Sequence, residues 1–318
     1  MKLSIDLISA YRSQIMGFAI LWVMLSHFPI PCGNNEILTF FQYIGFGGVE
    51  LFMLVSGFGL FFALKKSKSL NEYYKRRLIR ILPVWIFCII LLYFFCNEEP
   101  FLSINFLRRI GQCWWFIPFI LIIYLISPII YKAVLADKPW PLIIIISGIL
   151  FLQICYKLSG FSNIMITLFF ARFFDFVLGM WLAKLKFTEV KLNAYLVILF
   201  GILGISLVYC LWKEYILPGF WEIHYDLRLY PMILVGPFLA YIVIDVSSLS
   251  KFISHPLKII GDCSLEIYLL HVLLWWIVRE DHLLAWYQFY PISLLLSYLL
   301  HILNKKVSVY ILNWLSND

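Results

Sequence analysis

The chain alternates between long apolar segments and short polar connections. Ten apolar segments can be marked, each near the roughly 20 residues that an α-helix needs to cross a bilayer. The third and the fifth are short for a full span. The pattern predicts ten transmembrane helices, at residues 10–29, 43–64, 81–96, 114–131, 140–156, 164–184, 192–212, 228–246, 263–279 and 287–303.

Composition agrees with a chain that is surrounded by lipid. Apolar residues make up 63% of the 318 residues and charged residues only 14%, and the mean hydropathy is +0.91. A soluble domain carries about 45–50% apolar and about 25% charged residues, so this chain has too few charges for a water-facing surface. No repeat or Gly/Ser-rich linker divides it. We predict an all-α, polytopic membrane protein in which residues 1–318 form one integral-membrane domain.

Basic residues cluster at the ends of the apolar segments, and their distribution predicts the orientation. If the N-terminus is cytoplasmic, 18 Lys and Arg residues fall on the cytoplasmic side and 6 on the outer side. This excess follows the positive-inside rule and places both termini in the cytoplasm. Because membrane anchoring accounts for the net charge of +7, we expect no nucleic-acid partner.

The seven cysteines are scattered and contain no Cys-x-x-Cys pair. Most lie in or beside apolar segments, where a thiol behaves as a small hydrophobic group. Neither a disulfide framework nor a zinc site is indicated. The chain also has no phosphate-binding Gly-rich loop and no His-Glu-x-x-His motif, so we expect no metal and no bound cofactor. The first segment lacks a cleavage pattern, and we interpret it as an uncleaved span.

Two ionisable residues lie in apolar surroundings near the start of the chain. His27 falls in the first segment and Glu50 in the second, and ionisable side chains inside a membrane are costly enough to suggest function. The predicted orientation puts His27 near the outer end of its helix and Glu50 in the outer half of the next. These side chains could meet across neighbouring helices and carry acid–base chemistry.

A basic run, KRRLIR at 75–80, precedes the third segment on the predicted cytoplasmic side. Such charge is common on the inner face of membrane proteins and need have no further role. Arg77 and Arg80, however, are three residues apart at the start of a helix, and guanidinium forks bind phosphate well. Acid–base groups towards one face of the membrane and phosphate-binding arginines at the other face suggest a reaction that bridges the membrane.

Three segments around these polar residues form a recognisable series: GFAILWVMLSH at 17–27, GVELFMLVSGF at 48–58 and YKRRLIRILP at 74–83. Weaker matches follow, which are WFIP at 115–118, FVLGM at 176–180 and GDCSLEIYLLH at 261–271. In this order the set resembles the signatures of the integral-membrane enzymes called acyltransferase family 3. Each match is weak alone, but the ordered set is specific and covers most of the chain.

The resemblance implies transfer of an acyl group, commonly acetyl from acetyl-CoA, to a hydroxyl of a cell-envelope sugar or polysaccharide precursor. The implied location is the bacterial inner or plasma membrane. The implied partners are acyl-CoA as donor substrate, an envelope glycan or lipid-linked sugar as acceptor, and membrane lipid. Some family members carry an extra hydrolase-like domain. This chain has no room for one and resembles the stand-alone type.

The catalytic residues implied by the resemblance are His27 and Glu50. An unperturbed imidazole titrates near neutral pH, so His27 could deprotonate the acceptor hydroxyl. Glu50 would then fix the tautomer of His27 and stabilise its imidazolium, as the acid does in a Ser-His-Asp triad. A covalent acyl-histidine relay is the other mechanism, and the sequence does not choose between them.

The residues implied to bind acyl-CoA are basic. Arg77 and Arg80 match the Arg-x-x-Arg motif, and Arg76 or Arg12 would assist them. The family usually has Arg or Lys eleven residues before the histidine, where this chain has Met16. Arg12 lies one helical turn earlier on about the same face, so it could take over that role.

Three further residues are secondary candidates. Trp115 could stack on a sugar or adenine ring or serve as an interfacial anchor. Arg172 lies three residues before Asp175, so the two could pair on one helix face or contact substrate. His271, with Glu266 five residues earlier, could belong to a polar network in the core or act directly.

A transporter or flippase is the alternative function. His27, Glu50, Arg172 and Asp175 would then line a proton or substrate pathway. Inverted repeats and broken helices would favour this reading, but no convincing repeat is visible. Consumption of acetyl-CoA by purified protein would separate an enzyme from a transporter.

Overall fold

The described part of the chain is almost entirely helical. A computed structural model describes residues 2–3, 5–95, 103–160, 164–186, 192–213, 229–279 and 284–316. Its α-helices are α1 (Asp6–Ala10), α2 (Arg12–His27), α3 (Glu36–Tyr43), α4 (Gly48–Lys66), α5 (Leu70–Phe95), α6 (Ile104–Cys113), α7 (Phe116–Leu135), α8 (Trp140–Leu158), α9 (Ile164–Leu185), α10 (Ala194–Trp212), α11 (Met232–Leu249), α12 (Lys251–Asp262), α13 (Ser264–Arg279) and α14 (Trp286–Ser316). A 3₁₀ turn, Ile44–Gly47, leads into α4.

Each of the ten predicted segments coincides with one of these helices, which confirms the all-α, polytopic fold. Within the described residues, eight helices are long and apolar enough to cross a membrane. The other two, α2 and α13, have 16 residues each, about 24 Å of helix against a hydrocarbon core of about 30 Å. Residue 96 of the third predicted segment and residue 228 of the eighth lie outside the described residues.

The two short helices lie inside the bundle. Ile15 and Ile20 of α2 and Leu269 of α13 have no exposed surface. Protein therefore covers these helices where lipid would cover a peripheral one, and their length is not limited by the thickness of the bilayer. Their inward position brings polar side chains such as Gln14, Glu266 and His271 into the protein interior.

Helix α5 begins eleven residues before the third predicted segment. The apolar run begins at residue 81, but the helix starts at Leu70, and the Ser69 hydroxyl accepts a hydrogen bond from the backbone N–H of Glu72. The first three turns are polar on one side, so a search for continuous apolar sequence does not detect them. The basic run at 75–80 therefore lies within a regular helix.

Helices α4 and α9 run parallel and touch backbone to backbone. A Cβ atom at Gly57 or at Gly179 would collide with a backbone carbonyl oxygen of the opposite helix, so only glycine permits this approach. Glu50 lies seven residues before Gly57, and Arg172 lies seven before Gly179. Two turns return to the same helix face, so the crossing brings Glu50 opposite Arg172.

Helix α12 crosses the end of α2 that carries Arg12. The Ser13 hydroxyl donates a hydrogen bond of 2.5 Å to Asp262 Oδ1, and Lys258 Nζ lies 2.7 Å from the other oxygen. Burial opposes ionisation of Asp262, but these hydrogen bonds outweigh it and lower its pKa. At the same predicted side, the strand Lys2–Leu3 pairs antiparallel with Leu192–Asn193.

Candidate active site

Helix α2 carries polar groups at both ends of a single face. Arg12, Met16, Val23 and His27 fall within about 60° of one another around an ideal helix, because their spacings are close to whole turns. His27 lies fifteen positions after Arg12, which corresponds to about 22 Å along the axis. One face of α2 therefore runs from Arg12, a predicted phosphate-binding residue, to His27, the predicted base.

A cavity follows this face between α2, α4, α5, α7 and α13. The empty space that it encloses, counted together with its open mouth, is about 800 Å³. The middle is mostly apolar. The lining side chains are Arg12, Met16, Val23, Val49, Phe52, Ser56, Leu60, Arg77, Arg80, Ile81, Phe116, Ile117, Ile120, Tyr124, Ser264, Leu265 and Tyr268.

Three guanidinium groups line one end of the cavity. Buried Tyr73 and Ile81 define the inward face of α5, and Arg77, four residues from each, shares that face. Its guanidinium carbon lies 5.8 Å from the centre of the Tyr73 ring. Within the described residues, neither Arg77 nor Arg80 nor Arg12 forms an ion pair with a carboxylate. Three cations that no described carboxylate neutralises can together attract an anion and hold it by charge-assisted hydrogen bonds.

Two of these arginines also have unused hydrogen-bonding capacity. The Nε atoms of Arg12 and Arg77 are buried and have no hydrogen-bond partner among the described residues. Arg12 and Met16 both line the cavity, one turn apart. Arg12 can therefore occupy the space beside Met16, where the family usually has a basic residue. The role of Arg12 in acyl-CoA binding stays a prediction.

Arg76 is not part of this group. It points away from the cavity, its side chain is 65% exposed, and its Nη2 atom lies 2.7 Å from Glu72 Oε1. The reason is angular, since adjacent residues on a helix point about 100° apart and Arg77 occupies the inward face. Of the four predicted acyl-CoA-binding arginines, the structure brings three together.

Two histidines meet towards the other end of the cavity. His27 Nδ1 lies 2.9 Å from His271 Nε2, and His271 has no exposed surface. The ring of Trp275 lies beside His27, with 6.1 Å between ring centres. The cavity wall includes Val23, one turn before His27, but not His27 itself. The cavity therefore ends about one helical turn from the histidine pair.

Glu50 does not contact His27. Its Oε1 atom accepts a hydrogen bond of 2.9 Å from Arg172 Nε, and both side chains are almost completely buried, at 1% and 2% exposure. The predicted contact between His27 and Glu50 is therefore not formed, and His271 is the partner of His27. The crossing of α4 and α9 explains this choice, because a buried carboxylate is most stable beside an opposite charge.

The predicted pairing of Arg172 with Asp175 is also absent. Asp175 is buried, and within the described part of the chain neither of its oxygens has a hydrogen-bond partner. Trp115 instead covers Arg172, with its ring centre 4.7 Å from the guanidinium carbon, a cation–π contact. Trp115 is thus part of the support of the buried ion pair.

The sequence interpretation missed two tyrosines that line the cavity. Tyr268 accepts a hydrogen bond of 3.3 Å from the backbone N–H of Phe116, and its ring packs edge-on against His271. Tyr124 also lines the cavity, close enough to Arg12 for an electrostatic interaction. The available signal was the spacing of three residues between Tyr268 and His271, which places both on one helix face.

Comparison with known proteins agrees with this architecture. A family model described as an acyltransferase domain, that of acyltransferase family 3, matches residues 15–302. The match includes the histidine pair, the buried ion pair and the arginines on α5. No curated protein and no solved structure matches the chain. The family match extends over most of the 318 residues, and the chain belongs to acyltransferase family 3, whose members are membrane acyltransferases.

Proposed function

We propose that this membrane acyltransferase is an O-acetyltransferase that uses acetyl-CoA and modifies a hydroxyl of a cell-envelope sugar or polysaccharide precursor. The observation that carries the proposal is the cavity, which approaches a histidine pair at one end and has at the other three arginines that form no ion pair with the described carboxylates. This arrangement matches a donor with an anionic head and a reactive group at the end of a long arm.

The donor would enter from the arginine end. Arg12, Arg77 and Arg80 would bind phosphate groups of acyl-CoA by charge-assisted hydrogen bonds. The apolar middle of the cavity suits the pantetheine arm, and the thioester would then lie near Tyr268 and Val23, below His27. With the predicted orientation, the donor comes from the cytoplasm and the acceptor from the outer side.

The chemical step would require one base. His27 Nε2 would take the proton of the acceptor hydroxyl while the hydroxyl oxygen attacks the thioester carbonyl carbon. The new C–O bond forms, the C–S bond breaks, and the proton passes from His27 to the CoA sulfur. Glu50 would act at a distance, by holding Arg172 and the helix crossing in place. The acyl-histidine relay uses the same residue as nucleophile.

The decisive experiment is acetyl-CoA binding to detergent-purified protein. The variant Arg77→Ala/Arg80→Ala removes two charge-assisted contacts worth roughly 1.5–3 kcal/mol each when well formed. Solvent screening reduces this figure, so we expect binding to weaken at least about tenfold. The wild-type protein should also release CoA when envelope glycans are added.

A matched control removes the same charge from the same helix. Lys75→Ala/Arg76→Ala deletes two exposed cations that do not line the cavity, and it should bind acetyl-CoA like the wild type. Equal weakening by both double variants would mean that binding depends only on net charge. Absence of binding by folded wild-type protein would contradict the donor assignment and favour a transporter.

A further inference from the structure

We infer that His271 is a positioning residue, which selects the tautomer of His27 and leaves His27 Nε2 available as the base. The inference rests on the proposed acyl transfer and adds a residue to it. It depends on hydrogen bonds that run from a backbone carbonyl through both imidazole rings.

The chain of hydrogen bonds has only one polarity for two neutral rings. The carbonyl oxygen of Ile267 lies 2.7 Å from His271 Nδ1, and a carbonyl can only accept, so this nitrogen carries the proton. A neutral imidazole has one N–H, and His271 Nε2 is therefore an acceptor. His27 Nδ1 lies 2.9 Å away and must donate to it. The lone pair of His27 is then on Nε2.

The free nitrogen is accessible. Among the described residues, His27 Nε2 has no hydrogen-bond partner. The atom is also not completely buried. His271, by contrast, is completely buried. One ring is therefore enclosed and acts as a fixed acceptor, whereas the other presents a lone pair at an open position.

No carboxylate takes part in this arrangement within the described residues. Glu50 pairs with Arg172. Glu266 faces another direction, where its oxygens lie 2.8 Å from Asn304 Nδ2 and 3.2 Å from His301 Nδ1. Among the described residues, His271 is thus the one that can take the orienting role that a carboxylate has in a Ser-His-Asp triad.

The arrangement also favours proton transfer. When His27 Nε2 takes a proton, the ring becomes an imidazolium and its Nδ1–H bond to His271 becomes charge-assisted, which is stronger than a neutral bond. The Ile267 carbonyl holds His271 in the accepting tautomer throughout. His271 therefore stabilises the charged form of the base without touching substrate.

Two amide substitutions test this role. The acceptor oxygen of Gln lies as many bonds from Cα as His Nε2, whereas the amide of Asn is one carbon shorter and reaches only towards Ile267. We expect His271→Asn to lower kcat by roughly 100-fold, the scale of general-base catalysis. His271→Gln should stay within about tenfold of the wild type because it keeps the acceptor. Acetyl-CoA binding should be unchanged in both, which shows that they fold.

A wild-type kcat in His271→Asn would overturn the inference, and so would equal losses in the Asn and Gln variants. Nitrogen-15 NMR of histidine-labelled wild-type protein tests it without substitution: neutral His27 protonated on Nε2 would be incompatible with it. His27→Ala, assayed in parallel, separates the two proposals. If His27→Ala is inactive while His271→Asn is normal, only the positioning role fails. If His27→Ala turns over normally, the proposed base itself is wrong.

Discussion

Two pairs of polar side chains lie in the bundle, and they differ in what they leave open. Glu50 and Arg172 are both sealed from solvent and oppositely charged, and Trp115 covers the guanidinium. His27 and His271 also form a hydrogen bond, but His27 is only partly buried and one of its nitrogens has no partner among the described residues. The first pair is closed, and the second pair is open at one atom.

The difference separates a structural pair from a chemical one. A sealed ion pair can stabilise a helix crossing, but it cannot reach a substrate without opening the core. A histidine with an enclosed partner on one side and a free lone pair on the other has the geometry of a base. The sequence interpretation treated His27 and Glu50 as one unit, and the structure assigns them to different pairs.

The largest expected effect comes from the open pair. We predict that His27→Ala lowers acyl transfer by at least about 100-fold. His27 is the candidate for the general base and also for the nucleophile of the acyl-histidine relay, so the substitution disables both mechanisms. Acetyl-CoA binding and the thermal midpoint should change little, since the side chain is partly exposed and forms no ion pair with any described residue. Transfer to an envelope glycan and acetyl-CoA binding would be measured on the same preparation.

The informative control for this variant is Ser26→Ala, which is next to His27 and has its hydroxyl bonded to the Val23 carbonyl. It should keep transfer activity close to the wild type. Full activity in a folded His27→Ala protein would remove the open pair from the mechanism. Loss of both activity and binding would instead assign His27 a structural role.

The sequence predicts the helices well because each apolar segment is a local property. The ten segments and the basic run on α5 could be identified without knowledge of tertiary contacts. The partners of the polar residues could not. Glu50 pairs with a residue 122 positions away, and His27 with one 244 positions away. Those distances are set by helix packing, which hydropathy does not report.

The neighbouring arginines show the same limit on a smaller scale. Arg76 and Arg77 are indistinguishable as charges in the sequence, yet one is exposed and paired with Glu72 and the other lines the cavity. The angle around α5 decides between them, and that angle depends on which face the buried Tyr73 and Ile81 occupy. A helix start placed at residue 81 leaves this face undefined.

Breaking the sealed pair of Glu50 and Arg172 should lower the stability of the protein strongly. Any loss of activity should be a consequence of that lower stability. Glu50→Gln keeps the shape of the side chain but leaves the Arg172 charge buried without an opposite charge in hydrogen-bond contact. Breaking a buried ion pair from one side costs about 3–5 kcal/mol of unfolding free energy. The thermal midpoint and the denaturant midpoint in detergent would measure it.

Two controls distinguish charge from shape. Removal of both charges, in Glu50→Gln/Arg172→Met, should recover part of the lost stability because no unpaired charge stays in the core. Glu72→Gln breaks the exposed pair with Arg76 on α5, where screening is strong, and should leave the midpoint unchanged. A Glu50→Gln protein as stable as the wild type would show that the ion pair is not structural.

The smallest expected effect concerns Asp175, which lies one turn after Arg172 and tests how far the sealed pair extends. Among the described residues, the oxygens of Asp175 have no hydrogen-bond partner, and Glu50 is the carboxylate that contacts the Arg172 guanidinium. Asp175→Asn should therefore change the unfolding free energy by about 1 kcal/mol or less, the usual scale where no bonded partner is lost. Measured beside Glu50→Gln, it is the same carboxylate-to-amide change on the facing helix. If the two substitutions destabilise the protein equally, both acids balance Arg172, and the sealed group is a triad of two carboxylates and one guanidinium.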